Sequence, residues 1–80
     1  MDMATFTIQH LQDIAREIIG DGDIELSPSM SAGDVPGWDS LNHTLIAMEI
    51  AGRFTPQVDA QQLGRLATFG DVVDFVNARM

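Results

Sequence analysis

Residues Gly37–Phe54 read GWDSLNHTLIAMEIAGRF. Asp39 and Ser40 are both good N-caps, because a short side-chain oxygen can accept from the first free amides of a helix. Behind them Leu41, Leu45, Met48 and Gly52 fall on one line at spacings of three and four. Ile46, Ile50 and Phe54 form a second line, with Ala47 beside it. Thr55 precedes Pro56, and the residue before a proline is driven out of the helical region. The spacing predicts a helix from Asp39 or Ser40 to about Phe54, apolar over more than one stripe. A small domain cannot bury so wide a face, so part of Leu45 and Met48 is expected to meet solvent or a partner.

Working towards the N-terminus, residues 20–38 read GDGDIELSPSMSAGDVPGW. Gly, Pro, Ser and Asp dominate, and no period holds. A loop this long in a small domain is either functional or poorly ordered. Its apolar residues Ile24, Leu26, Met30, Val35 and Trp38 are expected to pin it to the helices. Before it, Ile8, Leu11, Ile14, Ala15, Ile18 and Ile19 share a stripe over about Thr7 to Ile19. Gln9, Gln12, Asp13, Arg16 and Glu17 take the other face. Gly20 then suits a left-handed cap.

Working towards the C-terminus, Asp59 caps a short helical piece to about Leu63, with Gly64 ending it. Thr68 and Asp71 fit the [ST]-x-x-[DE] capping pattern of a last helix. Phe69, Val72, Val73 and Val76 supply its core stripe, Phe75 its edge, and Arg79 suits the negative end of its dipole. No alternation of period two lasts long enough for a strand. The expected fold is all-α: a four-helix bundle of three main helices and one short one, with a long loop between the first and second. One domain is expected over residues 1–80.

Composition narrows the function classes. The chain has 80 residues, 45% of them hydrophobic and 20% charged, which is globular rather than disordered composition. A core of this size supplies on the order of 3–5 kcal/mol of net stability, which leaves little chain for a deep catalytic pocket. Twelve acids face four bases, all arginine, for a net charge of −8. Nucleic acid and anionic membranes repel such a chain, so no partner of either kind is expected. Partners with basic patches would be steered to it. The absence of cysteine removes disulfides, thiol catalysis and cysteine zinc sites. Two histidines, His10 and His43, are too few for an all-histidine metal site, and no metal is expected. The N-terminal MDMATFTIQHLQ has neither the basic region nor the apolar run of a signal peptide. No stretch reaches the roughly 18 apolar residues of a membrane span. A cytoplasmic monomer is expected.

Asp39, Ser40 and His43 invite a test for a hydrolytic triad. On a helix Ser40 and His43 sit at i and i+3 and can touch. Asp39, at the helix mouth, lies away from the far imidazole nitrogen that a triad acid must orient. No G-x-S-x-G strand-turn-helix context surrounds the serine. Asp21, Asp23 and Glu25 alternate as in a calcium loop, but Leu26 stands where glycine is needed and Ala32 where glutamate is needed. A solvated acidic turn fits better. Two readings of Ser40 stay open. It is a plain N-cap, or its hydroxyl is modified by a separate enzyme. In the second case the free amides and positive end of the dipole would favour a phosphate there.

The stretch GWDSL, opening a helix that runs through Ile46 and Ile50 to Phe54, resembles the acyl carrier protein family. LATFGDVVDFV is similar to that family's turn into its fourth helix, and the likeness covers about Ile8 to Val76. It implies a carrier without catalytic activity of its own. A 4'-phosphopantetheine arm would be attached to Ser40 from coenzyme A by a phosphopantetheinyl transferase. The arm's thiol would carry an acyl group as a thioester, which accounts for a chain without cysteine. Further partners would be an acyl-loading ligase or acyltransferase and the synthase or tailoring enzymes that receive the cargo.

Fatty-acid carriers of this family usually have a strongly acidic second helix. Here that helix offers only Glu49 and carries Arg53. The form VPGWDSLNH resembles discrete carriers of polyketide or related natural-product biosynthesis. The resemblance implies a docking face of Leu41, Thr44, Leu45 and Met48, with Asp39 positioning the site for the transferase. Core packing is the competing role for the apolar members. A peptidyl or aminoacyl carrier loaded by an adenylating enzyme is the alternative, as is an unmodified helical adaptor. His43 is expected to be a surface bystander or a minor contact. Trp38 is expected to pack the loop on the helices and fix the approach of Ser40.

Overall fold

The computed structural model describes residues 5–80. Residues 1–4, the start of the stretch read for a targeting leader, lie outside the described residues. Four α-helices follow in order: α1 over Ile8–Ile19, α2 over Ser40–Arg53, α3 over Ala60–Gly64 and α4 over Phe69–Asn77. A single 3₁₀ turn, Ala32–Asp34, interrupts the long loop, and there is no strand among the described residues. The all-α expectation is met.

Each helix starts where a side-chain oxygen satisfies an early amide. Thr7 accepts from the His10 amide at 3.2 Å, while His10 Nδ1 accepts from the Thr7 amide at 3.1 Å. Histidine thus fills the third position of a reciprocal capping box, a place that glutamate or glutamine usually takes. Asp59 and Gln62 close a second box at the start of α3. At α4 the Thr68 hydroxyl accepts from the Asp71 amide at 3.2 Å. α1 ends at Gly20, whose φ of 82° is the left-handed conformation that glycine adopts without cost. One boundary differs from the sequence expectation: Gly64 is the last residue of α3 rather than its stop, and Arg65 caps it. α2 closes at Arg53 with Phe54 as its cap, as expected.

α1 packs against α2 and α4, and α2 against α3. Leu11, Ile14 and Ala15 of α1 meet Ile46, Ala47 and Ile50 of α2 in one buried cluster with Leu63, Phe69 and Val76. Phe6, ahead of α1, is fully buried in the same cluster. It is held there by Asn77, whose side-chain amide accepts from Phe6 N–H at 2.9 Å and donates to Phe6 C=O at 2.8 Å. Val72 and Val73 are only partly buried against this core, so the inner face of α4 is narrower than its valine content suggests.

The long loop is tied down along its length. Ile24 and Val35 are buried, and Leu26, Met30 and Trp38 pack against the core. α1 contributes polar anchors: Arg16 Nε–H donates to Ile24 C=O at 2.7 Å, and Gln12 Oε1 accepts from Leu26 N–H at 2.9 Å. The polar face of α1 therefore holds the loop. At the far end the carbonyls of Met30 and Pro28 accept from the amides of Phe69 and Gly70 at 2.8 and 2.9 Å. Those are the first two amides of α4, which have no acceptor within their own helix. Gly37, at φ 88°, brings the loop back against α1. A Cβ there would stand 2.8 Å from Ile19 Cγ2, so both backbone and space demand glycine.

Candidate functional site

The competition between Asp39 and Ser40 for the cap of α2 has one winner. Asp39 is the N-cap: its carboxylate accepts from the Asn42 amide at 2.8 Å and its carbonyl from the His43 amide at 2.8 Å. Asn42 in turn donates its side-chain amide to Gly37 C=O at 2.8 Å, closing the turn that precedes the helix. Ser40 becomes the first helical residue and is exposed. Its carbonyl accepts from the Thr44 hydroxyl at 3.0 Å. Its own hydroxyl has no hydrogen-bond partner among the described residues, so the plain N-cap role is excluded.

The imidazole three residues on is fully engaged. Trp38 Nε1–H donates to His43 Nδ1 at 3.1 Å, and His43 Nε2 lies 2.8 Å from Ala60 C=O. Indole nitrogen only donates and a carbonyl only accepts. The ring proton is thereby assigned to Nε2, with Nδ1 as acceptor. Neither nitrogen remains to take a proton from Ser40, so a Ser40–His43 pair has no base. The bystander expectation for His43 is corrected at the same point: the ring joins α2 to the loop and to α3. Trp38 packs as expected, its ring centroid 4.9 Å from that of Phe69 at the start of α4.

Ser40 stands on the rim of an open groove of about 450 Å³ between the end of the loop, α2 and α3. Trp38, His43, Thr44, Leu63 and Leu66 contribute to its lining. A smaller groove of about 270 Å³ continues along the α2–α3 seam past Ala47, Met48, Ala51 and Val58. Thr44 and Ala60 line both. No arginine lines either groove.

No protein-family model matches this chain, and no solved structure matches it.

The outer face of α2 is apolar and uncovered. Leu41 is 68%, Leu45 40% and Met48 64% exposed, and Thr44 is exposed between them. The core-packing role for these three is excluded; Ile46, Ala47 and Ile50 do that work on the opposite side. Asp21, Asp23 and Glu25 remain an exposed acidic turn. No group of three potential ligands that could hold a metal occurs among the described residues. No described helix is long and apolar enough to cross a membrane.

The groove wall formed by Ala60, Gln61, Leu63 and Leu66 escaped the sequence reading. α3 is a five-residue helix, too short for a periodicity to announce a face. The link from Trp38 to His43 spans five positions across a helix start, which matches no helical neighbour spacing.

Proposed function

We propose that this protein is a discrete acyl carrier that holds acyl intermediates as thioesters on a 4'-phosphopantetheine arm at Ser40, in polyketide or related natural-product biosynthesis. One observation carries the reading. Asp39 takes the capping role, which leaves the Ser40 hydroxyl exposed and unbonded at the mouth of a fourteen-residue helix.

The surroundings fit such an arm. The amides of Ser40 and Leu41, the first two of α2, have no acceptor among the described residues, and the positive end of the helix dipole favours a phosphodiester on Ser40. Asp39 is an unfavourable charge next to the serine, and its carboxylate is occupied in part by the Asn42 amide. A groove of about 450 Å³ beside the serine falls in the range of about 300–1,000 Å³ that small-molecule sites occupy. When bound, the arm supplies the thiol that this chain lacks. Ser40 anchors it, the groove offers it a resting place, and an external transferase performs the attachment. The engaged His43 is consistent with a carrier that has no catalysis of its own.

Partner enzymes would meet the apolar face of Leu41, Leu45 and Met48, with Asp39 beside it, and the charge of −8 would favour basic surfaces around their binding sites. They comprise the transferase, an acyl-loading ligase or acyltransferase, and the synthase or tailoring enzymes that accept the cargo.

Incubation with a broad-specificity phosphopantetheinyl transferase and coenzyme A, followed by intact mass measurement, tests the reading. One phosphopantetheine adduct is expected, and none on Ser40→Ala. Absence of an adduct with several active transferases would leave a helical adaptor as the better description. If the adduct forms, loading by an adenylating enzyme with an amino acid would identify a peptidyl or aminoacyl carrier instead.

A further inference from the structure

His43 hydrogen-bonds two elements other than its own helix. From α2 it reaches Trp38 at the end of the loop and Ala60 at the first turn of α3, and Trp38 carries the connection on to Phe69 at the start of α4. Both of its nitrogens are used, and it lines the groove whose rim holds Ser40. α3 has five residues, too few to stand as a helix without external support. Its hold on the bundle includes the buried Leu63, the packed Ala60 and this bond from α2.

We infer that His43 is a positioning residue, locked as the Nε2–H tautomer, which sets the distance between α2 and α3 and so holds open the groove beside Ser40. This rests on the carrier reading only for its consequence in arm transfer; the coupling itself is a property of the fold. The chemistry makes a definite demand. The position needs an acceptor towards the Trp38 indole and a donor towards the Ala60 carbonyl on one rigid or nearly rigid group. Glutamine offers both on its terminal amide. Alanine offers neither, and leucine fills the space without either.

The experiment uses the full chain in four forms: wild type, His43→Ala, His43→Leu and His43→Gln. Nitrogen-15 spectra of the neutral wild-type ring should show Nδ1 bare and Nε2 protonated; the opposite tautomer would overturn the inference. Amide exchange is read next. His43→Ala and His43→Leu should speed exchange of the Trp38 indole N–H and of the residue 63–64 amides roughly tenfold, the effect of losing one or two hydrogen bonds, with the α1 amides unchanged. His43→Gln should recover most of that protection. Equal exchange in all four forms, or a glutamine variant indistinguishable from leucine, would sink the proposal.

Transferase kinetics then separate the two readings. His43→Ala should raise the transferase KM for the apo-protein roughly fivefold while kcat moves less than twofold, because Ser40 itself is untouched. A collapse of kcat with unchanged KM would contradict a positioning role. A wild-type protein that accepts no arm yet shows the tautomer and the exchange pattern would remove the carrier reading and leave the coupling supported.

Discussion

At the scale of single residues, the decisive feature is the division of labour between Asp39 and Ser40. Both are cap residues by type, and they stand side by side. Asp39 reaches the Asn42 amide, so removing it deprives α2 of its cap, whereas Ser40 caps nothing. Asp39→Ala should therefore lower unfolding stability by about 1 kcal/mol. Ser40→Ala should stay within about 0.5 kcal/mol of wild type, the range for an exposed position without a special role. Urea midpoints of the two variants check this, and equal losses would mean that the cap is shared. Gly37→Ala should cost more than either, about 1–3 kcal/mol, because it adds a strained φ and a contact with Ile19 at once. The adjacency of two cap residues was plain in the sequence. Which of them turned towards the amides was not, since that depends on how the Gly37 turn delivers the chain and on the Asn42 bond back to Gly37.

At the scale of elements, α2 carries two apolar faces with different fates. Ile46 and Ile50 are buried to 1% and 0% exposure, while Leu41 and Met48 remain mostly open. Ile50→Ala should destabilise the fold by about 2–5 kcal/mol. Leu45→Glu should leave unfolding stability within about 0.5 kcal/mol of wild type, yet reduce turnover by a loading or acceptor enzyme that docks on this face. Unchanged turnover in a folded Leu45→Glu protein would show that docking lies elsewhere. The presence of both stripes followed from periodicity alone. Their assignment to core and surface was foreseen only for Leu45 and Met48, because a small bundle has room for one face. The loop is the opposite case. Its apolar residues announced anchoring, but its service to α4 is a backbone matter. The Met30 and Pro28 carbonyls that meet the Phe69 and Gly70 amides leave no trace in side-chain pattern.

At the scale of the whole molecule, charge and shape act together. With a net charge of −8 and both described ion pairs made by Arg53, to Glu49 and Glu17 on the surface, the fold gains little from internal pairing. Self-repulsion is mild at physiological salt, where the screening length is about 8 Å. Association with a basic-surfaced partner should slow markedly as salt rises from about 0.05 to 0.5 M, with a much smaller effect on dissociation. Stopped-flow association rates across that range test the point, and a salt-independent rate would argue for a purely apolar encounter.

The amino-acid sequence by itself determined the four helices, the candidate cap residues at their starts and the apolar stripes, because each depends on neighbours within one turn. It also settled the acidic balance and the lack of thiols, which need no structure at all. The tertiary structure alone decided that Asp39 rather than Ser40 caps α2, that Leu41 joins Leu45 and Met48 on the exposed side, and that His43 is bound at both nitrogens. The bond from His43 to Ala60 joins residues 17 positions apart, and the clamp between Phe6 and Asn77 joins residues 71 apart. Contacts of that separation exist only once α1, α2, α3 and α4 have packed, and no local period or spacing encodes them.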